Sequence, residues 1–95
     1  MPFSCQLKFP PFNGAPIEAA FVSWKAENFG MLEKGDAIAE IIVSNATHEL
    51  CVNFPCGFIS KKVVQGTIVA TGDLIAGCGA DGESIPYGQD YLFIR

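Results

Sequence analysis

The sequence predicts an all-β fold, and three observations carry that expectation. Short runs of β-branched and aromatic residues lie between glycines and prolines, no window keeps a helical period, and the chain repeats itself once. The runs at 21–24, 37–43, 47–52, 58–64 and 74–78 read as strands. Gly30, Gly35, Gly57, Gly66 and Gly72 punctuate them. The one stretch that approaches a helical pattern, 26–39, is broken by Gly30 and Gly35. Gly35, Gly57 and Gly72 are expected at tight corners needing positive φ, where other residues are strained. Pro55, lacking an N–H, belongs at a strand edge or start.

The repeat pairs Gly35-Asp-Ala-Ile-Ala39 with Gly72-Asp-Leu-Ile-Ala76, at an offset of 72 − 35 = 37 residues. At that offset Phe21-Val22 meets Phe58-Ile59, and Leu32 meets Val69. Two copies are too few for a solenoid. They suit a closed fold of two intertwined halves related by a pseudo-twofold axis. The chain beyond Gly79 exceeds the repeat. Tyr87, Tyr91, Phe93 and Ile94 are too apolar for a free tail, so 91–95 is expected to add a strand or pack on the barrel. Residues 81–84 would form the loop before it, and the N-terminal run 5–9 would be its strand partner.

Ninety-five residues support a single domain, and 49% hydrophobic against 17% charged residues make it globular. The net charge is −4, and the six cationic residues are scattered, which disfavours nucleic acid as a partner. No apolar run approaches the roughly 20 residues of a membrane helix. The first residues show no charged leader followed by an apolar segment, so the expected location is cytoplasmic and no membrane is involved. Cys5, Cys51, Cys56 and Cys78 lack C-x-x-C spacing and read as free, mostly buried thiols.

No catalytic residue is expected. His48 is the only histidine, and strand alternation sets it on the opposite face from Thr47 and Cys51, so it reads as a core or rim residue rather than a base. Cys51, Cys56 and His48 match no zinc spacing, so no metal is expected. The ten acidic residues are dispersed as a solvated face. Gly77-Cys-Gly79-Ala-Asp-Gly82 mimics a phosphate loop, but no helix follows it. Trp24, the single tryptophan, reads as core packing.

What remains is Glu40-Ile-Ile-Val-Ser-Asn45-Ala-Thr-His-Glu49, a strand, a turn and a strand. Ser44 and Asn45 suit the tip, since both bond local backbone and Asn tolerates positive φ. Alternation puts Ile42 on the same side as Glu40.

This segment resembles the lysine hairpin of biotinyl/lipoyl carrier domains. In that family a Glu-Ile-Glu-Thr-Asp-Lys-Ala-Thr-like turn presents a lysine that carries the cofactor as an amide. Glu40, Ile41, Ala46 and Thr47 fit the pattern, and Asn45 fills the lysine position. Trp24, then Leu32-Glu-Lys-Gly35-Asp36, match the first half of the family pattern. Pro55-Cys-Gly57, Gly66-Thr-Ile-Val69 and Gly72-Asp-Leu-Ile75 are similar to the second. The resemblance covers about 16–79, leaving 80–95 as a C-terminal extension. It implies a flattened eight-stranded barrel built from two four-stranded sheets, a barrel-sandwich hybrid.

The departures lie at the chemistry. There is no lysine between Lys34 and Lys61, Ile42 stands at an acidic position, and Thr67 stands where aspartate is usual. The only methionines are Met1 and Met31, so the biotin version with flanking methionines is absent too. The resemblance therefore implies a degenerate carrier domain, neither lipoylated nor biotinylated, without cofactor or enzymatic activity. It would act in trans as a protein-interaction module through Ile42, Ser44, Asn45 and Ala46, on a partner that recognises carrier domains. Two alternatives stand beside it. One is a genuine lipoyl or biotin carrier modified at another lysine; the other is a small hydrolase or transferase, which lacks a base–nucleophile pair. Replacing Asn45 by lysine is expected to cost no more than roughly 0.5 kcal/mol, as at most surface positions.

Overall fold

The computed structural model describes residues 2–28 and 30–95. It contains nine strands among these residues: β1 (Pro2–Lys8), β2 (Glu18–Trp24), β3 (Met31–Leu32), β4 (Ala37–Val43), β5 (Ala46–Val52), β6 (Cys56–Lys61), β7 (Ile68–Ala70), β8 (Leu74–Asp81) and β9 (Leu92–Ile94). Among the described residues the only helical element is one 3-10 turn, Gly82–Ser84, in which the Glu83 N–H donates to the Asp81 carboxylate. No helix among the described residues is long and apolar enough to cross a membrane. The strands form two curled antiparallel sheets, ordered β1-β8-β6-β3 and β7-β2-β4-β5-β9.

Each expected run holds a strand; those at 21–24, 47–52 and 74–78 extend further, whereas the run 58–64 is replaced by Cys56–Lys61 and leaves 62–64 outside the strand. The local signals of period-2 alternation and glycine breaks act within a strand and survive folding. The stretch 26–39 holds no helix among its described residues; Met31–Leu32 is a strand edge instead. The expected count of eight strands is exceeded, because β9 makes the second sheet five-stranded.

The pairing of the chain ends also differs from expectation. β9 does not pair with the N-terminal strand; it adds to β5, with Leu50 opposite Ile94 and Val52 opposite Leu92. β1 pairs with β8 in the other sheet, where its inward Cys5 and Leu7 face Cys78 and Ala76. Each end covers apolar neighbours, but on different sheets, and pairing across so many residues leaves no local mark in sequence.

Between the sheets lies the core. Leu7, Phe9, Phe21, Ile38, Ile41, Leu50, Val52, Phe54, Ile75 and Leu92 are almost fully buried, and each such side chain contributes roughly 1.5–3 kcal/mol by leaving water. In β4, Ile38 and Ala39 are buried in succession, as are Ile75 and Ala76 in β8. The register shifts at Ala37/Ala39 and Leu7/Lys8 explain both, since a bulge turns two neighbouring residues to one face. Among the described residues no polar or charged side chain is fully buried.

One hydrogen-bond pattern occurs twice. Gly35 and Gly72 have φ of 94° and 97°, and their N–H groups each donate 2.8 Å bonds, to the carbonyls of Val52 and Phe9. Val52 and Phe9 return bonds to Asp36 and Asp73. Lys25 N–H reaches Ile38, and Lys62 N–H reaches Ile75. Strand pairs agree likewise: Trp24 faces Ala39 as Lys61 faces Ala76, and Ala20 faces Ile42 as Gly57 faces Gly79. The side chain of Phe58, which the repeat matches to Phe21, lies outside the described part.

Gly57 is not a positive-φ corner. It sits inside β6 opposite Met31, where an added Cβ would lie 2.5 Å from the Met31 sulfur and 3.2 Å from the Gly30 carbonyl oxygen. Close approach of neighbouring strands, not φ, selects glycine there.

Candidate functional site

β4 and β5 form a hairpin in which Val43 pairs with Ala46 and leaves Ser44-Asn45 as a two-residue tip. Their φ values are 49° and 66°, both positive, which is the type I′ geometry that matches strand twist. Ser44, Asn45, Ala46 and Thr47 are all exposed. Ile42 is opposite Thr47 and 38% exposed, whereas its neighbours Ile41 and Val43 are buried. The four residues singled out at the tip thus form one surface with an apolar edge. None carries a nucleophile with a base beside it.

Farther down the same hairpin, Glu40 faces Glu49 directly. Opposed like charges would push the strands apart, but Lys25 Nζ lies 3.1 Å from Glu49 and 3.9 Å from Glu40. Arg95 completes the cluster, donating to Glu49 Oε1 at 2.7 Å and to the Gly35 carbonyl at 3.0 Å. The hydrogen bonds from Arg95 and then Lys25 hold the Glu49 carboxyl below its usual range. This network ties β5 to the last residue of β9's run and stiffens the base of the hairpin.

His48 is a rim residue. It packs edge-on against Phe12, with ring centroids 5.2 Å apart, and its Nδ1 lies 3.4 Å from the Arg95 carbonyl oxygen. Cys51 and Cys56 do not converge on it, and among the described residues no group of three metal-ligating side chains could hold an ion. Gly77–Gly82 runs along β8 into the 3-10 turn, where no helix opens. Trp24 packs on Phe21 at 4.8 Å and donates from Nε1 to the Val63 carbonyl, with Lys61 Nζ 5.6 Å from its ring centre.

Sequence reasoning missed a gathering of thiols. Cys5 and Cys78 are opposite one another across β1 and β8, and Cys56 on β6 meets Cys78 from the other side. All four cysteines are free. Hydrogen bonding with Cys56, then burial, pushes the Cys78 thiol up, and burial pushes Cys5 up, whereas the hydrogen bond with Cys78 holds the Cys56 thiol below its ordinary value. Raised, inward thiols such as Cys5 and Cys78 are packing groups rather than nucleophiles. Three cysteines on alternating inward positions of adjacent strands were the available signal, but only the strand order brings them together.

No protein-family model, no curated protein and no solved structure matches this chain.

Proposed function

We propose that this chain is an unmodified, non-enzymatic domain of lipoyl-carrier type that works by contact with another protein through the β4–β5 hairpin. The carrying observation is the exposed type I′ tip at Ser44-Asn45; the sequence resemblance matches Asn45 to the lysine position of carrier domains. An asparagine amide offers no amine to acylate, so the tip serves recognition rather than attachment. Its contact surface is Ile42, Ser44, Asn45 and Ala46, with Ile42 as the apolar anchor. The partner is a protein that recognises carrier domains. The twice-used hydrogen-bond pattern supports a pseudo-twofold barrel-sandwich of eight strands, to which β9 is an added ninth. Four free thiols favour a reducing compartment, the cytoplasm.

The test is a photo-crosslinking residue at position 45, used in an extract of the native source together with intact-mass analysis. The reading expects an unmodified mass and a discrete crosslinked product that Ile42→Glu abolishes while the circular dichroism spectrum is kept. A lipoyl or biotinyl adduct on any lysine would overturn it in favour of a working carrier. A crosslinking pattern indifferent to Ile42→Glu would overturn the contact surface.

A further inference from the structure

The two sheets differ at one edge. β5 is covered by β9, whereas β1, its counterpart at the end of the other sheet, has a strand on one side only. The correspondence comes from the Gly-Asp corners, where Val52 and Phe9 accept equivalent bonds. Stepping back along both strands matches Cys51 with Lys8, Leu50 with Leu7 and Glu49 with Gln6. In the covered sheet those positions of β5 face Phe93, Ile94 and Arg95. On β1 the same row of backbone groups has no backbone partner beyond β8 among the described residues.

Among the described residues no second strand closes this edge. Residues 85–91 cross beside β1 and stand off, leaving a cleft of about 790 Å³ lined by Gln6, Lys8, Phe9, Ile85, Tyr87 and Tyr91. Tyr87 is fully exposed on its outer wall. Leu7 and Phe9 point into the core, while Ser4, Gln6 and Lys8 are exposed. Lys8 takes part in none of the ion pairs among the described residues.

We propose that the free edge of β1 binds an extended segment of another protein, antiparallel to β1, with apolar residues opposite Leu7 and Phe9 and a carboxylate opposite Lys8. β9 on the other sheet shows what such an occupant looks like: Leu92 and Ile94 lie opposite the inward Val52 and Leu50, and the following Arg95 pairs in charge with Glu49. Lys8 stands at the position of Cys51, two residues from that of Glu49, and as an exposed cation outside the ion pairs among the described residues it selects a guest that carries an acid there. Addition of a strand to an open edge supplies main-chain hydrogen bonds for affinity and alternate side chains for selection. A second copy of the chain is a poor guest. Residues 2–8 contain Lys8 and no acidic residue, and an edge lysine discourages self-pairing. This edge lies on the sheet opposite the hairpin and does not depend on the hairpin's role.

The test uses the blocked peptide Ser-Leu-Glu-Ile-Thr-Ile-Ser, titrated into isotope-labelled protein and followed by amide chemical shifts. Shifts are expected at 2–9 and 85–91, and N-methylation of alternate peptide nitrogens abolishes them. Lys8→Glu weakens binding about fivefold, the upper end of an exposed ion pair. Lysine in place of the peptide's glutamate restores it in that variant. Absence of shifts at about 1 mM peptide, shifts at 42–46 instead, or undiminished binding of the N-methylated peptide would each overturn the proposal. Failure of the charge swap to restore binding would overturn the role of Lys8. Asn45→Gly leaves all of these outcomes unchanged, which separates this proposal from the hairpin reading.

Discussion

Asp36 and Asp73 close two turns in the same way: the Oδ2 of each accepts the backbone N–H three residues upstream, from Glu33 and from Ala70, at 2.8 Å. Each aspartate's own N–H returns a bond to the carbonyl of that same residue. The carboxylate therefore holds the corner shut while the preceding glycine supplies the left-handed backbone. Replacing either aspartate by alanine is expected to cost about 1 kcal/mol, the usual worth of one such bond. Equal losses from Asp36→Ala and Asp73→Ala, measured by urea unfolding, would fit the shared geometry. A loss at one site alone would argue that the corners are not equivalent.

The glycines at 35, 57 and 72 should fail differently. Gly35→Ala and Gly72→Ala meet no neighbour but force alanine to positive φ, at a cost of about 1–2 kcal/mol each. In Gly57→Ala the added methyl meets Met31. Combining it with Met31→Ala should recover part of the loss, whereas Met31→Ala recovers nothing for Gly35→Ala. Thermal unfolding of the two double variants decides between strain and collision.

Leu92 is fully buried and belongs to the strand that the repeat does not contain. Leu92→Ala is expected to cost about 2–5 kcal/mol, as for other large cavities. Unfolding measured together with the native mass would register it. A loss below about 1 kcal/mol would mean that β9 is an ornament rather than part of the core.

Glu49 provides a pH signature. Its carboxyl is held below the ordinary value by Arg95 and Lys25, so the folded state favours the charged form. That stabilisation is complete above the ordinary glutamate value and is lost as pH falls through the lowered folded value. Between neutral pH and the acid limb, Glu49→Gln should flatten the decline in melting temperature. Salt should reduce the effect, since the pairs are exposed.

At the hairpin tip, the φ of 66° at Asn45 changes what a lysine there costs. Asparagine is one of the few side chains at ease in the left-handed region, so Asn45→Lys should lose about 1 kcal/mol rather than the smaller surface value. Asn45→Gly should be neutral within about 0.5 kcal/mol. Unfolding of the two variants side by side checks the turn type.

The strands, the Gly-Asp corners and the Ser44-Asn45 turn were legible in the sequence because each is set by neighbours in the chain. Alternation of Ile41, Ile42 and Val43 tells inside from outside, and glycine at 35 and 72 marks where the backbone must turn left-handed. Tertiary structure alone decided the rest. Which sheet each chain end joins, why Gly57 must be glycine, and how Cys5, Cys56 and Cys78 come to share one face depend on strand order. The facing Glu40 and Glu49 are offset by Lys25, which follows β2, and by Arg95, which follows β9 and pairs with Glu49. Such pairings join residues far apart along the chain, and their energy comes from packing and charge across strands, which no local pattern records.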